Sequence, residues 1–259
     1  MDPNTAFTIK AASISDVPTL AKIFSDSFLD DRHTQMKSQG KDPYDLEQSM
    51  AADLPRQIAS PTSILLKAVD ESTGEIVGWI SWGFRGFSHT EIAGLDPDVA
   101  GLISNEPGSQ KPAEKEKRIE ASQERQPKFE PDLVDESPIK QLERITDADL
   151  RRWMDKVMPD GTRCMFVISL CVSPKWQGKG VGASLLHWGT QTADAVGAFI
   201  WVHSSEGAWR MYQKHGFEIL ETLDVDLDRY APSPLLNNRG GIEKWGHYVF
   251  RYMKRLPQG

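Results

Sequence analysis

The chain has 259 residues, room for one large or two small domains and a substantial core. Its apolar share of 39% and mean hydropathy of -0.45, with no apolar run long enough to cross a bilayer, exclude a membrane-spanning protein and indicate a soluble globular one. A net charge of -7 and a pI of about 5.4 exclude nonspecific binding to nucleic-acid phosphate and suit a cationic amine partner.

The start, Met1-Asp2-Pro3-Asn4-Thr5, lacks a basic stretch followed by an apolar one, so no secretory signal is expected. Phe7 to Ala11 alternates as a strand does. Ser15-Asp16-Val17-Pro18 supplies a cap and a first-turn proline, and Leu20, Ile23, Phe24 and Phe28 recur at helical spacing. Tyr44 to Ile58 reads as a second helix, with a kink or break expected at Leu54-Pro55. Ser63 to Val69 and Glu75 to Phe84 read as strands joined by the polar hairpin connection Asp70 to Gly74. Trp79 and Trp82 should face opposite ways, one in the core and the other available to line a channel.

From about residue 85 to 161 the chain is polar and of mixed charge, and residues 105–131 bury too little to pack, so a flexible excursion is expected there. Lys111 to Glu124 has the charge spacing of a solvated helix. Ile145 to Val157 is a firmer helix: Thr146-Asp147 can cap it, and Leu150, Trp153, Met154 and Val157 form one stripe. Met165 to Val172 is a strand. The two cysteines, Cys164 and Cys171, are too few for a disulfide framework or a zinc site, and their odd spacing predicts opposite faces. Two reduced thiols point to a reducing compartment, the cytoplasm first and the nucleus as the alternative. A helix then runs from Gly180 to Gly197, followed by a strand Ala198 to Ser204, a short helix Ala208 to His215 closed by Gly216, and a closing pair, Leu220 to Leu227 and Tyr248 to Met253.

The stretch from Val167 to Ala183 is strand, Ser-Pro turn, then Gly178, Gly180 and Gly182 at the mouth of a helix. Glycines so spaced permit positive φ, and the first-turn N–H groups, with the positive end of the helix dipole, form an anion site suited to phosphate. A P-loop would need Gly at 173 and Ser or Thr at 180, where the chain has Ser173 and Gly180. Gly178-x-Gly180-x-x-Ala183 with Asp194 fits a dinucleotide pattern, but Ser173 to Gln177 intervene between strand and glycines and no doubly wound alternation precedes them. A helix-opening loop that binds nothing is the plain alternative.

Gln177-x-x-Gly180-x-Gly182, following Leu170-Cys171-Val172, resembles the acyl-CoA signature of the GCN5-related N-acetyltransferases (GNAT), and Tyr212-Gln213-Lys214-His215-Gly216-Phe217 resembles that family's second block. The resemblance implies a single α/β (α+β) domain over 1–259. Its twisted sheet would have about seven mostly antiparallel strands with a splayed central pair and helices on both faces, in the order β-α-α-β-β-(insertion at 85–161)-β-α-β-α-β-β. It implies acetyl-CoA as cosubstrate, with no metal. The pyrophosphate would lie on Gln177, Gly178, Lys179, Gly180, Val181, Gly182 and Ala183, the pantetheine arm along Leu170, Cys171 and Val172, and Ser205 and Tyr212 nearby. Ser205 stands where the family usually has Asn, a longer side chain for that contact.

Acetyl transfer requires an unprotonated amine, an oxyanion donor and a proton for the departing thiolate. The amide near Cys171 or Val172 is the expected oxyanion donor, and Tyr212 the expected acid, against a packing role as the plain alternative. The central strand has no carboxylate, leaving His203, Glu206, His89 and Glu91 as options for the base, with water relays besides. The expected function is transfer of an acetyl group from acetyl-CoA to the primary amine of a small molecule by direct attack in a ternary complex, peptide or protein lysine remaining open. An acyl-CoA-binding sensor or scaffold without turnover, or a nucleotide-dependent oxidoreductase, are the alternatives. The insertion would shape acceptor choice or mediate a homodimer; no nucleic-acid or membrane partner is expected.

Overall fold

The computed structural model describes residues 7–39, 45–86, 136–236 and 241–258. Among them a seven-stranded sheet runs in the order β1-β2-β3-β4-β5-β9-β6, with β1 Phe7–Ala11, β2 Ser63–Asp70, β3 Ile76–Arg85, β4 Cys164–Val172, β5 Phe199–Ser204, β6 Glu218–Asp226 and β9 His247–Arg255. All neighbours are antiparallel except β4 and β5. A ribbon of β7 Leu235–Leu236 and β8 Ile242–Glu243 lies in the connection before β9. The expected fold is therefore the observed one.

The helices are α1 Val17–Ser27, α2 Arg32–Ser38, α3 Leu46–Ile58, α4 Pro138–Val157, α5 Val181–Ala195 and α6 Trp209–Lys214. On one face α5 and α6 cover a core of β2, β3, β4 and β5 side chains that includes Leu66, Ile80, Trp82, Val167 and Val202, with Leu185 of α5 packed among them. On the other, α1 and α3 bury Leu20, Leu54, Leu65, Trp79 and Cys171, while α4 stacks Trp153 on Tyr252, with Cys164 and Trp201 beside them. Trp79 and Trp82 do face opposite ways, but both are fully buried: Trp79 Nε1 donates to the Leu20 carbonyl at 2.9 Å, and Trp82 lies against α5 at Gly189, where a Cβ would meet its ring at 2.0 Å. Neither lines a channel. Burial of this kind contributes about 1.5–3 kcal/mol per large apolar side chain.

Several local expectations are corrected. Helix α4 begins at Pro138, capped by Ser137, whose Oγ accepts from Lys140 N. Thr146 is an interior residue whose Oγ1 donates to the carbonyls of Leu142 and Glu143, so it caps nothing. Pro55 sits in the last turn of α3 without breaking it. Helix α2 was not expected; Asp31 starts it by accepting from Thr34 N and Oγ1. The stretch 105–131, with Lys111 to Glu124, lies outside the described residues.

The two cysteines share a face. The β3–β4 register passes from Ser81↔Ser169 to Trp82↔Val167, leaving Ile168 as an extra residue on β4, and this bulge turns the odd separation of Cys164 and Cys171 into an even one. Just beyond it, the parallel pairing of β4 with β5 ends at Val167↔Val202, although β4 continues to Val172 and β5 to Ser204. The central pair is splayed, and β4 residues 168–172 keep a free edge toward β5.

Candidate active site

A groove of about 790 Å³ runs through this splay. One end is lined by Gln177, Gly178, Gly180, Gly182 and Ala183, the floor by Leu170 and Val172, and the other end by Asp30, Asp31, Arg32, Glu206 and Tyr248. Gln177 ties the glycine loop to the strand end, its Nε2 donating to the Val172 carbonyl at 3.1 Å. Gly178 and Gly180 take φ of 74° and 92°, left-handed conformations that a side chain would strain, and Gly180 caps α5 without a side-chain bond. The first-turn N–H groups of α5 thus have no intrahelical partner. At Gly182 a Cβ would meet only Val172 Cγ2, at 3.7 Å. This end has the bare amides, dipole and room for a phosphate. Lys179 leans over the Trp176 ring at 4.7 Å, and Val181 is buried in the core, so within the loop these two contribute backbone rather than groove-lining side chains.

At the opposite end the walls are cross-linked. Tyr248 Oη donates to Asp31 Oδ1 at 2.6 Å and accepts from Glu206 N at 3.3 Å, and Arg32 Nη2 meets Glu206 Oε2 at 2.5 Å. Burial, reinforced by the neighbouring Asp31 carboxylate, pushes the Tyr248 phenol well up.

The residues expected to act in the site are distributed as follows. Leu170, Val172, Gln177, Gly178, Gly180, Gly182, Ala183, Ser205 and Glu206 line the groove. Cys171 does not: its side chain turns into the core under α1 and α3, and burial pushes the thiol up to about 12, far from a nucleophile. Tyr212 is not among the lining residues either: it is 3% exposed in the core, edge-on to Phe217, and burial together with the Cys171 thiol raises its phenol above the ordinary value. His203 is stacked between Phe250 and Tyr252 and is not among the lining residues; burial lowers it to about 4, with Nε2 unpartnered among the described residues. Odd-numbered β5 residues face α4 rather than the groove, which is why a base candidate chosen by proximity in sequence ends in an aromatic stack. His89 and Glu91 lie outside the described residues. Asp194, the acidic position of the dinucleotide pattern, forms a two-pronged pair with Arg255 at 2.7 Å on both oxygens, so it is committed to structure.

Sequence reading did not single out Asp31, Arg32 or Tyr248. Asp31 before Arg32-His33-Thr34 is a readable helix start, and Tyr248, Phe250 and Tyr252 are readable as one strand face, but their meeting with Glu206 is tertiary. Among the described residues no group of His, Cys, Asp and Glu could hold a metal ion, and no helix is long and apolar enough to cross a membrane.

The Acetyltransferase (GNAT) family model matches residues 148–217, a span that contains both sequence blocks. No curated protein matches the chain in sequence. Similar solved structures include arylalkylamine N-acetyltransferase 2 from Aedes aegypti, 14% identical with a TM-score of 0.53 over 97% of this chain and 99% of that one. An agmatine N-acetyltransferase mutant is 13% identical with a TM-score of 0.52 over 96% and 99%, and the Drosophila melanogaster polyamine N-acetyltransferase 15% identical with 0.50 over 97% and 100%. At such identities the likeness is one of fold. Residues 148–217 match the Acetyltransferase (GNAT) family model, and the fold around them is similar to that of these N-acetyltransferase structures.

Proposed function

We propose that the protein transfers an acetyl group from acetyl-CoA to a primary amine, with a small molecule as the acceptor, by direct attack within a ternary complex. The observation that carries the reading is the continuity of one groove from the bare amides of Gly178 to Ala183, past the free edge of β4, to the carboxylates at the mouth of β5. The residues present fit the cosubstrate: the α5 first turn would hold the pyrophosphate, and the β4 edge at Leu170 to Val172 would pair with the pantetheine arm. The amide near Cys171 or Val172 would stabilise the developing oxyanion. Ser205, on the groove wall, offers a short hydroxyl where the family's Asn would reach further.

Of the two candidate bases, Glu206 suits the role and His203 does not, because only Glu206 faces the groove and a buried imidazole held near 4 takes up a proton poorly at neutral pH. Tyr212 is the proposed acid: it is not itself a lining residue, but it lies on α6, whose Met211 and Lys214 line the groove. Its raised phenol keeps the proton that a departing thiolate needs. The carboxylates Asp26, Asp30, Asp31 and Glu206 along one end favour a cationic acceptor, and the agmatine, polyamine and arylalkylamine acetyltransferases of the same fold act on small amines. The cytoplasm is the proposed compartment, two free buried thiols being at home in a reducing medium.

The test is thiol release from acetyl-CoA across a panel of mono- and diamines, with a lysine peptide alongside. Turnover of a small amine is expected. Tight CoA binding with no turnover of any amine would instead favour a sensor or scaffold, and protection against heat by NAD but not CoA would favour the oxidoreductase.

A further inference from the structure

The guanidinium of Arg32 is held on three sides. Nη1 donates to the Trp245 carbonyl at 2.5 Å, and Nη2 to the His247 carbonyl at 2.9 Å and to Glu206 Oε2 at 2.5 Å. Trp245 is itself fixed: its side chain is 2% exposed, Nε1 donates to the Ser233 carbonyl at 2.9 Å, and its backbone N donates to Asp228 Oδ1 at 2.8 Å. The planar fork of arginine suits such a set, since its donors point in fixed directions that a lysine cannot reproduce. Arg32 is also the first residue of α2, where the helix dipole disfavours a cation, so its placement does nothing for that helix. As an ion pair, with both side chains 34% exposed, it contributes little to stability. What the arrangement does fix is the carboxylate. Oε2 of Glu206 is turned to the guanidinium, the Glu206 backbone N–H is held by Tyr248 Oη, and Oε1 carries no hydrogen bond among the described residues of a side chain that lines the groove.

We propose that Arg32 is a positioning residue for Glu206, its fork anchored on the Trp245 and His247 carbonyls so that one carboxylate oxygen is engaged and the other is presented to the acceptor amine. The inference rests on the reading of Glu206 as the base. In the step it serves, Oε1 takes one proton from the acceptor ammonium, freeing the nitrogen lone pair to form the C–N bond at the thioester carbonyl; as the tetrahedral adduct collapses the C–S bond breaks, the thiolate receives a proton from Tyr212, and the second proton lost by the new amide nitrogen restores the tyrosine.

A double-mutant cycle tests this, with thiol release from acetyl-CoA as the rate readout and CoA titration and thermal unfolding as controls. Arg32→Met should lower kcat by at least 10-fold with CoA affinity held within about 2-fold, Arg32→Lys should recover part of that loss, and Glu206→Gln should lower kcat at least as far. The double variant Arg32→Met/Glu206→Gln should then be no slower than Glu206→Gln alone, because the guanidinium acts only through the carboxylate. A double variant slower than either single one by the product of their losses would overturn the positioning role while leaving the base in place. Full activity in Glu206→Gln would overturn the base assignment and the inference together. Arg32→Met that matches wild type in kcat, or that loses activity only as far as it loses folded protein while Arg32→Lys recovers nothing, would overturn the inference alone.

Discussion

Gly180 takes φ of 92° at the point where α5 begins, a left-handed conformation in which any side chain strains the backbone of the loop. The strain is on the order of 1–2 kcal/mol. Gly180→Val should weaken CoA binding by calorimetry at least ~10-fold, since each 1.4 kcal/mol is a factor of ten. Gly182→Ala should be milder because a Cβ there meets only Val172 Cγ2. Equal affinity in Gly180→Val and wild type would remove the loop as the anion site. Tyr212→Phe is the corresponding test for the acid: turnover should fall about 100-fold with CoA affinity unchanged. Because the buried phenol is held above its ordinary value, Tyr212 should impose no alkaline loss of rate below about pH 10. A fully active Tyr212→Phe would leave the ring with packing alone.

Between elements, the pair that ties α5 to the end of β9 is the Asp194–Arg255 fork, with Gln258 N adding a third bond to Asp194 Oδ1 at 2.7 Å. Arg255 is 5% exposed, so removing one partner leaves the other poorly solvated. Arg255→Met should cost about 2–4 kcal/mol, seen as a lower urea midpoint at unchanged slope, whereas replacing both partners by apolar residues should recover part of it. An Arg255→Met protein as stable as wild type would show that the fork is solvated in practice. The elements themselves were largely legible: short apolar runs between turn signals found β1 to β6 and β9, and helical spacing with proline and glycine boundaries found α1, α3, α5 and α6. Where reading failed, a local signal was outcompeted. Ser137-Pro138 is a stronger start for α4 than Thr146-Asp147, because a proline in the first turn needs no N–H partner and the apolar stripe extends back through Leu142 to Ile139. The bulge at Ile168 had no such signal, since a single extra residue in an apolar run leaves the composition of that run unchanged.

Across the molecule, two half-buried imidazoles, each with its Nε2 shut off from solvent, sit on the α2–α4 side of the sheet. His33 lies against Tyr248 and Phe250, facing Lys37, Asp31, His203 and Glu143, while His203 lies against Phe250 and Tyr252, facing Asp149. Burial lowers each to about 4 from 6.5. Between those two values the unfolded chain binds more protons than the folded one, so stability is greatest above pH 6.5 and falls as pH drops toward 4. Each histidine costs on the order of 3 kcal/mol by pH 4. The exposed His247, raised by its bond to Asp224, works in the opposite sense, its contribution fading as pH rises above its folded value. Denaturant unfolding at stepped pH should show the decline between 6.5 and 4, and His203→Phe should flatten it. An unchanged slope in that variant would mean His203 is hydrated rather than buried.

By itself the sequence determined the strand and helix periods, the glycine loop and the Tyr-x-x-x-Gly-Phe block, because each of these is written in contacts between residues a few positions apart. Only the tertiary structure decided that Glu206 and not His203 faces the groove, that the two cysteines share a face, and that Asp31, Arg32 and Tyr248 meet Glu206 in the groove wall. Those outcomes depend on where β4 parts from β5 and on a pairing of residues 174 positions apart, and no local pattern encodes which side chains a splayed sheet will bring together.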